Sequence, residues 1–132
     1  MRVGHALNIP TVRESFSLPF RGGVIWCEQM DCLGADTALI RDKFSADMQR
    51  ILRPSTSSRI MLALHETSLD PESAKNMVEQ LLSPATRIQM LAVVGADRTA
   101  EKLIKAEVKH HLPQCAIRYF DDYEPAKEWL IP

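Results

Sequence analysis

The chain has little cysteine, few aromatic residues and almost no net charge, and each shortage excludes something. Three cysteines, Cys27, Cys32 and Cys115, are odd in number and form no Cys-x-x-Cys pair, so neither a disulfide framework nor a zinc knuckle is expected. Each is expected to be a buried, inert thiol that behaves as a small hydrophobe. Phe, Trp and Tyr together make up 6% of the 132 residues. The 16 Lys and Arg residues nearly balance the 17 Asp and Glu residues, giving a net charge of −1 and no electrostatic ground for a nucleic-acid binder. No apolar run approaches the ~18 residues of a membrane span. The opening MRVGHALNIP has one Arg and too short an apolar core for a signal peptide. The four histidines lack zinc spacing; His110 and His111 are neighbours on an expected helix and point about 100° apart. The expectation is one soluble, cytoplasmic domain over residues 1–132, with no metal and no cofactor.

What is present is a regular alternation of elements. Asn8-Ile9-Pro10 reads as a turn, and residues 1–13 as an N-terminal extension. Phe16-Ser-Leu-Pro-Phe20 alternates apolar and polar residues at period two, as a half-buried strand does, and Pro19 assigns it to a sheet edge. Arg21-Gly-Gly23 is a turn signal before the return strand Val24–Met30, so the pair is expected to form a β-hairpin. Ile40, Phe44, Met48 and Ile51 then mark one face of a helix, with Arg41, Asp42, Asp47 and Arg50 mostly off it. Ile60–Leu64 and Ile88–Val94 are continuously apolar, as central strands covered on both faces are. Between them Asp70 and Pro71 open a second helix as N-cap and first helical residue, with Ala74, Met77, Val78, Leu81 and Leu82 on its inner face; Pro84 closes it. A third helix runs from about Asp97 to His111, with Ala100, Ile104, Val108 and Leu112 inward and Pro113 as its stop. Cys115–Phe120 and Glu124–Leu130 supply a last strand and a short helix. The order ββαβαβαβα predicts an α/β domain: one mixed sheet, an edge hairpin followed by mainly parallel strands, and about four helices.

In such sheets ligands bind beyond the carboxyl ends of the strands, so the residues there were tested for chemistry. Val93-Val-Gly-Ala-Asp-Arg-Thr99 carries a single Gly where a dinucleotide fingerprint needs three, and a tight turn before a helix accounts for it. Glu28, Asp31, Glu66 and Asp121 could supply acids to a phosphoacceptor site, but Phe120-Asp-Asp122 has no Lys to hold phosphoryl oxygens. Cys32, His65 and Glu66 or Asp97 form a triad only on paper, without a nucleophile-elbow motif. The Ser/Thr loop between Arg53 and Arg59 reads as a solvated connection, and Asp121-Asp-Tyr-Glu124 as acidic residues favouring a helix start.

Leu91-Ala-Val-Val-Gly95, the helix after it, Ile117-Arg-Tyr-Phe-Asp121 and Glu124-Pro-Ala-Lys-Glu-Trp-Leu130 resemble the C-terminal half of SpoIIAA-like proteins of the STAS family, one branch of which is grouped with lipid-binding Sec14-like domains. With the element order from the hairpin onward, the resemblance covers about residues 14–131. It implies a non-enzymatic module with helices largely on one face of a mixed sheet. Well-known members switch partners when a Ser in an Asp-Ser-Ser-Gly motif is phosphorylated. Here the stretch reads Asp70-Pro71-Glu72-Ser73, so the acceptor position holds Pro and the kinase-controlled switch is not implied.

The resemblance therefore implies a protein partner meeting Thr67, Ser68, Asp70, Glu72 and Ser73, with Gly95, Asp97 and Arg98 beside them. A carrier for a small apolar or lipid ligand is the alternative, suggested by the Sec14-like branch and by the adaptable Met48, Met61, Met77 and Met90. A small enzyme using Cys32 and His65 is the third. The edge strand bearing Pro19 is protected against pairing, so a homodimer would use helix faces or the opposite edge.

Overall fold

The computed structural model describes residues 11–51, 58–111 and 115–132. The expected turn at Asn8–Pro10, most of the Ser/Thr loop, and Leu112 with Pro113 lie outside the described residues.

The hairpin forms as its pattern requires. β1 (Phe16–Phe20) runs antiparallel to β2 (Gly23–Gln29), in a register that pairs Phe16 with Cys27 and Phe20 with Gly23. The two linking residues, Arg21 and Gly22, have φ of 50° and 81°, the left-handed pair whose twist matches that of the strands. β3 (Arg59–Ala63), β4 (Met90–Val94) and β5 (Ala116–Phe120) then add in parallel, giving a five-stranded sheet in the order β1-β2-β3-β4-β5.

The connections between parallel strands are α1 (Thr37–Ile51), α2 (Pro71–Leu81) and α3 (Arg98–His111). Strand order advances by one each time, so crossovers of one hand place all three helices on the same face. That layer encloses Trp26, Ile60, Leu62, Leu91 and Val93 of the sheet with Phe44, Met48, Met77, Leu81 and Ile104 of the helices. α4 (Tyr123–Leu130) packs on the other face, where Ala126 and Leu130 meet Cys27, Met61, Ala92 and Val94. Successive strand residues thus enter different cores, which is why β3 and β4 read as unbroken apolar runs.

Three expectations need correction. The chain does not simply stop at Pro84: Pro84–Thr86 form one 3₁₀ turn, and the Thr86 hydroxyl donates to the Leu81 carbonyl at 2.6 Å, satisfying the end of α2. Only Cys27 of the three cysteines is buried; Cys32 and Cys115 are half-buried, because they lie beyond the strand ends where no second layer covers them. Asp47, assigned to the outer side of α1, is 6% exposed. Helical spacing itself turns it inward, seven residues after Ile40 and four before Ile51, and there it meets Glu28 of β2.

Candidate functional site

Parallel strands and their following helices put the ends of β2, β3 and β4 and the starts of α1, α2 and α3 on one rim. Each helix start is closed by its own aspartate. Asp36 Oδ1 accepts from Leu39 N at 3.1 Å, Asp70 Oδ1 from Ser73 N at 2.7 Å, and Asp97 Oδ1 from Ala100 N at 2.7 Å. Donors that would otherwise attract an anion are therefore taken by carboxylates of the chain.

Beyond β2 and β3 the two strand exits stay side by side. Met30, Cys32 and Gly34 donate their N–H groups to the carbonyls of Ala63, His65 and Glu66 at 3.0, 2.7 and 3.0 Å, and Ser68 N returns to Gly34 O at 2.8 Å. Thr67 locks the pair, its hydroxyl donating to Met30 O at 2.5 Å and accepting from Leu33 N at 3.1 Å. Cys32 and Glu66 both take left-handed φ, 63° and 55°, a cost of about 1 kcal/mol or more each for residues with a Cβ.

Across this rim lies a titratable group that the sequence reading did not assemble. Asp31, 2% exposed, accepts from the His65 backbone N–H at 2.8 Å and from the Tyr123 hydroxyl, with the Arg13 guanidinium 4.0 Å away. His65 Nδ1 is 3.2 Å from the Tyr123 oxygen and 3.5 Å from Asp31 Oδ1, and Nε2 is 3.1 Å from the Asp121 carbonyl. Burial, then the hydrogen bond to Asp31 and its charge, push the Tyr123 phenol far above its ordinary value, so it remains a donor. Gly95, at φ 77°, seats the ring: a Cβ there would collide with His65. With the Tyr123 hydroxyl donating to Asp31, the Tyr123 oxygen and the Asp121 carbonyl both face the ring as acceptors, and a ring with one N–H serves one of them at a time. Cys32 meets His65 through its backbone N–H, and among the described residues its thiol makes no hydrogen bond to the ring. The paper triad of Cys32, His65 and an acid is thus not brought together.

A cleft of about 420 Å³ opens beside this group, lined by Gly34, Ala35, Leu64, His65, Glu66, Thr67, Ser68, Gly95 and Asp97. Four of the residues singled out from the sequence, Thr67, Ser68, Gly95 and Asp97, line it, and the exposed Arg98 follows directly. Glu72 lies elsewhere, on a shallower cleft of about 200 Å³ with Arg41, Lys75, Asn76 and Glu79. Asp70 lies between, 3.7 Å from Arg41 and held below the usual carboxylate range by its hydrogen bonds from Ser73. Two of the expected contact residues are interior: Thr67 is 3% and Ser73 1% exposed. The Ser73 hydroxyl accepts from Arg41 Nε at 3.4 Å, so both side chains hold the loops together rather than face outward. The sequence offers Asp31 only as an acid at a strand exit and Tyr123 only as part of a helix start; their meeting was missed because nothing local links them.

A second polar cluster lies inside, between β2 and α1. Glu28, fully buried, accepts from Trp26 Nε1 at 2.8 Å, while its Oε2 lies toward Asp47 without a hydrogen bond of full geometry. Burial first, then the bond and charge of Asp47, push Glu28 up to about 9, so it holds a proton at neutral pH. Asp47 is kept below its ordinary range despite burial, by hydrogen bonds from Glu28, Lys43 and Ser15. Lys43 Nζ is 2.6 Å and Ser15 Oγ 2.8 Å from Asp47 Oδ2, and Ser15 Oγ also accepts from Gln29 N at 2.8 Å. The cluster therefore ties the segment before β1 to α1. The methionines suggested for a carrier are divided between the two cores: Met48 and Met77, 2% and 1% exposed, lie in the core under α1–α3, and Met61, 2% exposed, lies in the core under α4 with the half-buried Met90.

A mixed five-stranded sheet with three helices on one face and one on the other is consistent with a domain of the STAS type. Residues 36–131 match the SpoIIAA-like family model, and the chain belongs to that family. No curated protein and no solved structure matches it. The family match begins after β2, yet β1 and β2 pair into the same sheet. Among the described residues no helix is long and apolar enough to cross a membrane.

Proposed function

We propose that this is a non-catalytic regulatory domain that acts by binding another protein at the rim where β2, β3 and β4 end. The observation that carries this reading is the packing of His65 into the rim between Asp31, Tyr123 and Gly95. Asp31 holds the His65 backbone N–H, and the ring lies against the Tyr123 oxygen and the Asp121 carbonyl, while Glu66, Ser68 and Asp97 remain on the edge of the cleft. A surface fixed in this way loses little conformational entropy on docking. The SpoIIAA-like family, typically protein-interacting, supports the same reading. A cytoplasmic setting belongs to it and rests on the three free cysteines.

The test is capture with the immobilised chain from native lysate, run beside Ser68→Arg and Glu66→Arg, both at exposed positions. A defined partner retained by the unaltered chain and lost with both variants is expected. A partner kept equally by both variants overturns the rim as the contact surface. Native mass spectrometry of the purified chain is expected to give the bare mass; a retained small molecule would favour a carrier instead.

A further inference from the structure

α3 presents a ridge of one charge sign. Arg98, Lys102, Lys105 and Lys109 are all exposed and fall at spacings of four, three and four, which puts them within about 60° of one another around the helix and along about 16 Å of its length. They form the solvent side, roughly opposite the buried Ala100 and Ile104. Lys105 is paired with Glu101 at 2.7 Å and lies 4.9 Å from the Tyr119 ring centre; no ion pair of Arg98, Lys102 or Lys109 occurs among the described residues. The other acid of the helix, Glu107, projects to the opposite, inner side. By contrast α2 mixes both signs on its outer side with Glu72, Lys75 and Glu79.

Helix stability accounts for Lys109, in the last turn, and for Lys105, paired with Glu101, but not for Arg98 and Lys102. Arg98 stands in the first turn, where the helix dipole disfavours a cation. Arg98 with Lys102, and Lys105 with Lys109, are like charges four residues apart, which repel. The chain as a whole is nearly neutral, so the ridge is a local segregation of charge rather than a basic composition.

We propose that this ridge of α3 docks an acidic helix of a partner protein. A partner helix with carboxylates at the same spacings of three and four matches the cations one for one along its length. A membrane surface fits less well, because, of the exposed large hydrophobics, Phe16 and Val24 lie on β1 and β2, at the far edge of the sheet from β5, and Val12 precedes β1. A nucleic acid fits less well too: Tyr119, beside the ridge, is half-buried with the Lys105 ammonium 4.9 Å from its ring centre, which leaves less of the ring for stacking. The ridge begins beside the cleft, since Arg98 follows Asp97, and its three lysines run away from it along α3.

The probe is an 18-residue helical peptide with glutamates at i, i+4, i+7 and i+11, titrated into the full chain at low salt beside a scrambled peptide of equal composition. The patterned peptide is expected to shift backbone amide signals of α3 and to weaken as salt rises. Lys102→Glu with Lys109→Glu is expected to weaken it at least about tenfold. Lys102→Glu alone is expected to raise the melting temperature, since it replaces repulsion with attraction toward Arg98 and Lys105, so weaker binding there cannot be misfolding. Ser68→Arg is expected to leave peptide binding unchanged, separating this surface from the rim. Equal binding of the scrambled peptide, full binding by the double variant, or tighter binding of a 20-nucleotide single strand or of phosphatidylserine vesicles overturns the proposal.

Discussion

The Tyr123 hydroxyl donates to the Asp31 carboxylate across 92 positions of sequence, joining the start of α4 to the end of β2. The bond holds together the two faces of the sheet, because α4 lies on one side and α1, which follows Asp31, on the other. His65, from β3, completes the junction through the Tyr123 oxygen and the Asp121 carbonyl.

Tyr123→Phe removes the donor and leaves a buried carboxylate with one partner fewer. The expected loss is about 1–3 kcal/mol, the range for deleting one partner of a buried hydrogen bond to a charged group. Urea denaturation checks it: the midpoint should fall with the slope unchanged. An unchanged midpoint would mean that Arg13 and solvent satisfy Asp31 without the phenol.

Gly95→Ala combines a left-handed backbone with a collision against the His65 ring, and should cost about 1–3 kcal/mol. Pairing it with His65→Ala removes the collision and leaves only the backbone cost. The two substitutions should therefore be less than additive in a thermal-unfolding cycle. Strict additivity would show that the ring does not rest on Gly95.

Glu28 gives stability a particular dependence on pH. The folded chain keeps the proton that the unfolded chain releases near 4.5, so stability contributed by protonated Glu28 is complete below that value and is lost as pH rises toward about 9. Asp47 acts in the opposite sense at the acid end: its folded value is depressed, so its contribution is present above 3.8 and is lost as pH falls through the folded value. Glu28→Gln keeps the shape and a donor toward Asp47 without a titrating proton. It is expected to flatten the alkaline arm of a stability–pH curve while leaving the acid arm in place. An alkaline slope that survives the substitution would assign it to another group.

Thiol accessibility should rank the cysteines. Cys27 is 4% exposed, and burial pushes its thiol up to about 11, so it stays protonated and covered. Iodoacetamide labelling followed by mass spectrometry is expected to modify Cys32 and Cys115 in the native chain and Cys27 only on unfolding. Early labelling of Cys27 would show that the layer beneath α4 opens locally.

Much of the fold was readable because its signals are local. The apolar spacing of α1 and α2, the Asp70-Pro71 helix start, the Arg21-Gly22 turn and the unbroken runs of β3 and β4 each depend on a few consecutive residues and on the faces they must bury. Asp47 marks where residue type misleads: seven residues after Ile40 and four before Ile51 it stands on the buried stripe, but a carboxylate reads as surface until Lys43, Ser15 and Glu28 are seen to receive it. Thr67 and Ser73 show the same limit, since a hydroxyl in a loop reads as surface until the loops are seen to close upon it.

The rim divides along the same line. By itself the sequence determined the order of elements and hence that Thr67, Ser68, Gly95 and Asp97 would gather at the strand exits, because parallel strands joined by helices bring all their carboxyl ends to one side. It also held the spacing of Arg98, Lys102, Lys105 and Lys109, which the near-zero net charge of the whole chain concealed. Only the tertiary structure decided that Asp31, His65 and Tyr123 meet. Hydrogen bonding between side chains depends on distances of about 3 Å, and no local pattern specifies those between residues brought together by packing.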